Sequence, residues 1–271
     1  MTTLVTGGAG LVGSRLLRHL VQIGADCRAL VRSGKETPVG VTRVDGDLFD
    51  PVALKQAVEG VSAVIHLAAV FRTQDEKEIW HANLDGTRAL IAAVAQYAPQ
   101  ARFIMASTGL VYDEDATHPG REDDELHPRQ AYPASKIAAE KELRESGLNW
   151  SILRLPFVYG DGDEHLAAVP AIVARMKWHP AQSFSLAHQR DVARAFELAL
   201  TGVMDGRIVN ITDDAPSTLY DMARAVGVTI ESSAEPLNKP WWGRTDGALA
   251  RSLGFRPMVA TLNQAIHEGL L

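Results

Sequence analysis

The chain is poor in cysteine, in basic runs and in long apolar stretches. Cys27 is its single cysteine among 271 residues, so no intrachain disulfide can form, and that usage fits a reducing compartment. No charged segment followed by an apolar stretch and a cleavage site opens the sequence, and no apolar run reaches the roughly 20 residues of a membrane helix. A cytoplasmic protein without a membrane partner is expected. The formal net charge is -6 and no basic run of the kind that neutralises phosphate backbones occurs, so nucleic acid is not an expected partner. The nine histidines show no metal-ligand spacing and form no cluster with cysteine, so no metal is expected. A G-x-S-x-G elbow is missing as well, which leaves hydrolase chemistry unsupported.

What remains is ordinary globular composition, 46% hydrophobic and 22% charged, enough for a substantial core. Short runs rich in Val, Ile and Leu recur, and most are followed by a helical pattern. Thr3–Thr6, Cys27–Val31, Val41–Val44, Ala63–Leu67, Arg102–Ala106 and Trp150–Leu153 read as strands, and Leu11–Ile23, Val52–Glu59 and Leu84–Tyr97 as helices. Strands that alternate with helices call for right-handed crossovers and a doubly wound parallel α/β sheet of the Rossmann kind. Beyond Leu155 the pattern loosens, and Pro156, Gly160, Gly162 and Pro170 interrupt it. A helix at Asp191–Leu200 and a strand at Arg207–Ile211 return to the core. The expected division is a core of residues 1–156 with 190–211, and a small, mostly C-terminal substrate lobe of residues 157–189 and 212–271.

The stretch VTGGAGLVG ends the first strand and opens the first helix. It reads in two registers, Gly8–Gly10–Gly13 as G-x-G-x-x-G and Gly7–Gly10–Gly13 as G-x-x-G-x-x-G. Either places side-chain-free positions where a backbone must turn tightly and approach a pyrophosphate, with a helix N-terminus behind it. The competing reading is a purely structural turn; the strand before and helix after favour a dinucleotide. An NAD site has an acid at the end of the second strand for the ribose 2′-OH. Here that strand ends in Arg32 and Ser33, while Asp26 stands at its start. A cation and a hydroxyl suit a 2′-phosphate, so NADP is favoured over NAD; against this, Arg32 could simply be solvated. Asp47 is placed to accept from an adenine amino group, unless it serves only as a turn or helix cap. His66 to Ala69 end the fourth strand with small residues that let a cofactor pass.

Tyr132 and Lys136 stand one helical turn apart in AYPASK, with Pro133 suited to the first helical position. A free tyrosine titrates near 10, and a nearby ammonium is expected to lower it. Tyr132 would then move a proton with Lys136 tuning it. Ser107 and Thr108 end the fifth strand, where open α/β sheets bind ligands; turn formation is the competing role for these hydroxyls.

With the motifs TGGAGLVG, DGDLFDP, VIHLAA, NLDGT, ASTGLVY, YPASK and LRLPFVYGDGD in that order, the chain resembles the extended short-chain dehydrogenases/reductases, also called the NAD-dependent epimerase/dehydratase family. HQRDVARAFELAL and NITDD are similar to later family segments. The likeness is densest from Thr3 to Asp163. It implies that Thr108, with Ser107 beside it, binds the substrate oxygen, that Tyr132 is the general acid/base, and that Lys136 is its partner and holds the nicotinamide ribose. It implies that Asn83 supports the site from a neighbouring helix and that Pro156 and Phe157 lie beside the nicotinamide. The family's NADP-preferring reductases also have an Arg at the position of Arg32. The expected cofactor contacts are Gly7, Gly10, Leu11, Val12, Gly13, Arg32, Ser33, Asp47, Leu48, Leu67, Ala68, Ala69, Tyr132, Lys136, Pro156 and Val158.

The lobe says least. Arg175, Lys177, Arg190 and Arg244 stand in no diagnostic pattern, and Trp241 and Trp242 either cap a substrate or anchor the lobe. Arg32 and the short lobe favour a reductase or dehydrogenase acting on a simple carbonyl or alcohol. A sugar-nucleotide epimerase or dehydratase is the alternative. A non-catalytic dinucleotide sensor is the alternative of another class, opposed by the joint presence of Thr108, Tyr132 and Lys136. The family resemblance also implies a homodimer through the helices near Leu84–Tyr97 and Pro133–Ser146, where Ala89, Ala92, Ala93, Ala138 and Ala139 permit close packing.

Overall fold

The structure, a computed structural model, describes residues 1–71 and 73–271. In chain order the elements are β1 (Thr2–Thr6), α1 (Leu11–Gln22), β2 (Asp26–Val31), β3 (Val41–Asp45), α2 (Pro51–Val58), β4 (Ala63–His66), α3 (Glu76–Trp80), α4 (Gly86–Tyr97), β5 (Arg102–Thr108), α5 (Ala131–Glu145) and β6 (Asn149–Leu155). There follow β7 (Phe157–Tyr159), α6 (His165–Met176), β8 (Ser183–Phe184), β9 (Leu186–His188), α7 (Gln189–Leu200), β10 (Arg207–Asn210), β11 (Ser217–Thr218), α8 (Leu219–Ala225), α9 (Ala248–Ser252) and α10 (Leu262–Glu268).

Seven strands form one parallel sheet in the order β10-β6-β5-β4-β1-β2-β3. The strand order reverses between β1 and β4, whose carboxyl ends therefore frame the crevice where such sheets bind ligands. Alternation along each strand feeds two layers. Val5, Ile65 and Ile104 pack with Leu16, Leu17 and Leu20 of α1 and with Val192 and Phe196 of α7. Leu4, Phe103 and Met105 face the opposite way, onto Leu54 of α2, Leu90 and Val94 of α4 and Leu143 of α5. Each fully buried leucine or phenylalanine contributes about 1.5–3 kcal/mol of apolar transfer. The helices on both faces are what a sheet with two apolar faces requires.

A third apolar cluster, centred on Tyr159, Val169, Phe184, Leu186, Met222 and Leu262, lies under the C-terminal segments. Pro170 does not break the chain there: it sits inside the twelve-residue helix α6. The stripe of Leu166, Val169 and Val173 buries against α8, which offsets the hydrogen bond that proline removes. Trp242 packs edge-on to Trp178 and Phe184 at centroid distances of 5.0 and 5.4 Å, so of the tryptophan pair it is the one that anchors this cluster. The expected helix over Leu84–Tyr97 begins earlier than the sequence pattern shows. α3 runs into a π-helical turn at His81–Asp85 and on into α4.

Candidate active site

The turn between β1 and α1 is shaped by contacts that only glycine allows. Gly7 has φ +72°, and a Cβ on it would stand 2.7 Å from the Ala68 backbone nitrogen. A Cβ on Gly13 would stand 2.2 Å from the Gly7 carbonyl. The turn thus closes against the end of β4 and against its own helix, with Gly10 N–H donating to the Gly7 carbonyl at 3.0 Å. Gly10 caps α1 without a side chain, so the first-turn N–H groups of Leu11 and Val12 are left without intrahelical acceptors. That donor set, backed by the helix dipole, fits a pyrophosphate, and the cradle leaves no room for other side chains.

Around this turn the remaining predicted positions gather at one sheet edge. Arg32 and Ser33 lie exposed just past β2, and Asp26 sits at the far end of that strand, bound to the Thr2 hydroxyl. Asp47 follows β3; its Oδ1 accepts from Phe49 N–H at 2.8 Å, a local turn bond that leaves Oδ2 open. Leu48 points inward and packs where Gly86 leaves room, 2.9 Å from the place its Cβ would take. Leu67, Ala68 and Ala69 follow β4, Pro156 joins β6 to β7, and Val158 lies in β7.

α5 starts at Ala131, with Gln130 as its cap and Pro133 in its first turn. Tyr132 and Lys136 come from this helix. Lys136 is 2% exposed, and among the described residues no side chain hydrogen-bonds its ammonium. Burial pulls it down to about 8, against the opposing pull of Glu140. The Tyr132 ring lies against Phe71, centroids 4.4 Å apart. Sequence reasoning expected Lys136 to lower the phenol; the structure shows the reverse direction, because burial pushes Tyr132 up to about 12. Thr108 ends β5, opposite Leu155 of β6. Its hydroxyl oxygen accepts from Leu110 N–H at 3.2 Å, which leaves its proton available to donate.

A buried chain of hydrogen bonds links the glycine turn's strand to α5. Asn83, in the π-helical turn, accepts from Val70 N–H at 2.7 Å and donates to the Val70 carbonyl and to Ser135 Oγ, both at 3.0 Å. Ser135 donates to the Tyr132 carbonyl at 2.7 Å. Asn83 therefore fixes both the loop after β4 and the first turn of α5. On its other side, Thr87 donates to the Asn83 carbonyl at 2.6 Å, so its oxygen accepts from His66 Nε2–H at 2.9 Å, and His66 Nδ1 accepts from the Thr6 hydroxyl at 2.7 Å. Burial, helped by the Lys136 charge, holds His66 neutral, its pKa down to about 3. The NLDGT stretch held both Asn83 and Thr87, and their i, i+4 spacing is the signal that could have found Thr87. Nothing in the sequence pointed to Phe71.

Ser107 takes a different direction from Thr108. Its hydroxyl donates to Glu140, which is 3% exposed and paired with Arg154. Arg154 Nη2 meets Glu140 Oε2 at 2.8 Å, and its Nη1 donates to Tyr112 Oη at 2.9 Å. Tyr112 donates to Asn210 Oδ1 at 2.7 Å. This network joins β5, α5, β6 and β10 in the interior.

The sequence pattern of the NAD dependent epimerase/dehydratase family matches residues 3–212. A 4-hydroxy-2-methyl-3-oxo-4-farnesyl-3,4-dihydroquinoline-1-oxide ketoreductase of Stigmatella aurantiaca is 30% identical, over 89% of this chain and 77% of its own length. A D-erythronate dehydrogenase of Cupriavidus necator is 32% identical over 58% of this chain and 55% of its own length, so the match spans about half of that relative. Among solved structures, the UDP-glucose 4-epimerase of Thermus thermophilus in complex with NAD superposes with a TM-score of 0.79 at 26% identity, covering 98% of this chain and 96% of that one.

Proposed function

The chain belongs to the NAD-dependent epimerase/dehydratase family and is an NAD(P)-dependent enzyme of the extended short-chain dehydrogenase/reductase group; from that premise we propose that it is a reductase or dehydrogenase acting on a carbonyl or alcohol. The observation that carries this reading is Lys136, a residue only 2% exposed whose ammonium has no side-chain hydrogen-bond partner among the described residues, one turn from Tyr132. An unpaired buried charge is costly and persists where a ligand supplies its partners. The ribose hydroxyls of a nicotinamide nucleotide are such partners.

When bound, the nicotinamide supplies or takes the hydride. Thr108 donates to the substrate oxygen, holding it while charge develops there. Tyr132, a phenol raised by burial, is protonated at neutral pH and gives its proton to that oxygen in the reducing direction. Lys136 holds the ribose one helical turn from the phenol. Asn83 and Ser135 position the first turn of α5, while Ser107, bound to Glu140, supports the strand end. The glycine turn of Gly7, Gly10, Leu11, Val12 and Gly13 takes the pyrophosphate, Asp47 the adenine side, and Pro156 and Val158 flank the nicotinamide.

NADP is the preferred cofactor in this proposal. Support comes from Arg32, exposed at the end of β2 beside Ser33, where no carboxylate awaits a ribose 2′-OH. The Thermus thermophilus relative binds NAD, so the preference is a property of this chain's own second strand. Calorimetry of NADPH against NADH tests it: tighter NADPH binding is expected, and equal or tighter NADH binding overturns it. A screen of NADPH oxidation over ketones and aldehydes tests the reaction. Tyr132→Phe is expected to lower turnover by about 10²–10⁴ with cofactor binding retained; unchanged turnover overturns the assignment.

A sugar-nucleotide epimerase or dehydratase is the second reading, favoured by the likeness to the 4-epimerase along almost the whole chain. Stoichiometric consumption of reduced cofactor counts against it. The separate cluster around Tyr159 and Phe184 supports a substrate lobe of residues 157–189 and 212–271. A homodimer through α4 and α5 belongs to the same proposal: Ala92 is exposed and Ala89 and Ala138 half-buried, whereas Ala93 and Ala139 pack inward. Light scattering that finds a monomer at micromolar concentration removes it. No helix among the described residues is long and apolar enough to cross a membrane; with the lone buried Cys27, this supports a cytoplasmic location.

A further inference from the structure

A cavity of about 440 Å³ opens between the segment after β10 and the chain leading into α9, lined in part by Ser185, Asp213, Arg244, Thr245 and Arg251. It borders the proposed reaction centre. Thr245 Cγ2 lies 3.0 Å from where a Cβ on Gly109 would stand, and the Leu155 carbonyl and Pro156 Cα lie at 3.6 and 3.9 Å from the same point. Gly109 directly follows Thr108. A substrate held by Thr108 and Tyr132 therefore has this cavity within reach.

The lining is polar and incompletely paired. Asp213 is 6% exposed, yet among the described residues no side chain hydrogen-bonds its carboxyl group, which only the Leu186 and Ala215 backbones approach without reaching good hydrogen-bond geometry. Thr245 is 8% exposed, and its Oγ1 also lacks a partner. Arg251 Nη2 is committed to the Thr212 carbonyl at 2.9 Å and to Asp214 at 2.6 Å, while its Nη1 is buried without one. Arg244 lies over the Trp241 ring, 4.9 Å from its centroid, and has no ion pair among the described residues. Buried polar groups are almost always paired, and each exception asks for an explanation. Elsewhere in this chain the buried carboxylate Glu140 has every partner it needs, so the fold is able to satisfy such groups.

We propose, on the reading that Thr108 and Tyr132 hold the reacting oxygen, that this cavity is the subsite for the far end of a hydroxylated carboxylic acid. Its hydroxyl groups meet Asp213 and Thr245, and its carboxylate meets Arg244 and Arg251 Nη1. Asp213 is then a specificity-determining residue that admits hydroxylated chains and rejects alkyl chains, because an alkyl group leaves it buried and unpaired. Burial pushes the Asp213 carboxyl up to about 8. Near neutral pH it keeps a proton and both donates and accepts, which suits hydroxyls better than an ammonium group and avoids repelling a carboxylate.

Saturation-transfer NMR and calorimetry on the full chain with saturating NADPH test this, with D-gluconate, D-glucose 6-phosphate and hexanoate as probes. Gluconate is expected to bind at least tenfold more tightly than hexanoate. Asp213→Ala is expected to weaken gluconate at least tenfold and to strengthen hexanoate, since it removes the carboxyl group that an alkyl chain leaves unpaired. Asp213→Asn, which keeps donor and acceptor, is expected to retain most of the gluconate affinity. Thr245→Val gives an independent loss of gluconate affinity should Asp213→Ala fold poorly. Equal binding of gluconate and hexanoate, or gluconate binding indifferent to both Asp213→Ala and Thr245→Val, overturns the proposal. Preference for glucose 6-phosphate over gluconate overturns the carboxylate assignment. Binding and turnover fail separately: if gluconate binds as expected but no carbonyl compound is reduced, the reductase reading falls while the subsite stands.

Discussion

Glu140 and Asp213 are both carboxylates with almost no solvent contact, 3% and 6% exposed, and they live in opposite circumstances. Glu140 accepts from Arg154 and from the Ser107 hydroxyl, and the chain of bonds continues through Tyr112 to Asn210. The Asp213 carboxyl has no side-chain hydrogen-bond partner among the described residues, and nearby Tyr159 Oη and Thr245 Oγ1 have no partner either. The first region is a framework that closes on itself. The second is a surface whose polar groups wait for something else. A closed network rigidifies the elements it joins, and here it joins α5, which carries Tyr132 and Lys136, to the strands that carry Ser107 and Arg154. An open one is worth its cost only if a ligand completes it.

Breaking the closed network gives the largest stability effect. Glu140→Leu leaves Arg154 buried and unpaired and is expected to cost about 3–5 kcal/mol. Thermal unfolding should fall by roughly 10 °C at 2–4 °C per kcal/mol. Adding Arg154→Met should recover most of that loss, since an apolar pair replaces an ionic one without an orphan. A double variant as unstable as the single would show that the network does more than pair charges.

Asn83→Ala comes next. It removes three hydrogen bonds and leaves the Val70 backbone groups and Ser135 short of partners, at about 1–3 kcal/mol. Because Asn83 acts through the first turn of α5, turnover should fall more than cofactor affinity. Steady-state kinetics beside NADPH calorimetry checks this; a loss confined to thermal stability would make Asn83 only a structural residue.

Asp213→Asn is expected to act with the opposite sign, and only at raised pH. The native state holds the Asp213 proton up to about pH 8, whereas the unfolded chain releases it near the ordinary aspartate value of 3.8. The native state therefore binds more protons between these values, so this group's contribution to stability is present at low pH and is lost as pH rises toward 8. The variant removes that slope. Its melting temperature without substrate should exceed the wild type at pH 8 and match it near pH 4. A variant less stable at pH 8 would place Asp213 in the closed framework after all.

The parallel sheet was legible because Val, Ile and Leu runs alternate with helical periods from Thr3 to Leu155, and such local periodicity needs no tertiary information. The glycine turn was legible for a similar reason: Gly7 and Gly13 are dictated by backbone approach within a few residues and to the end of β4. The π-helical turn at His81–Asp85 was not, because its helical period continues on both sides and only packing decides where a bond register slips. Nor was the difference between Ser107 and Thr108. They are neighbours of similar chemistry, and alternation along β5 turns one toward Glu140 and leaves the other at the 3₁₀ turn that follows.

The sequence by itself determined that this chain would wind a parallel sheet, turn tightly at Gly7–Gly13 and set Tyr132 one turn from Lys136, since each of these rests on spacing within a strand or a helix. Only the tertiary structure decided the states of those groups. Burial raised the Tyr132 phenol, where the sequence predicted that Lys136 would lower it, because removal from water disfavours the phenolate. It also decided that the Asp213 carboxyl, from a turn far along the chain, would line the same cavity as Thr245, which meets Gly109; no local pattern brings these segments together.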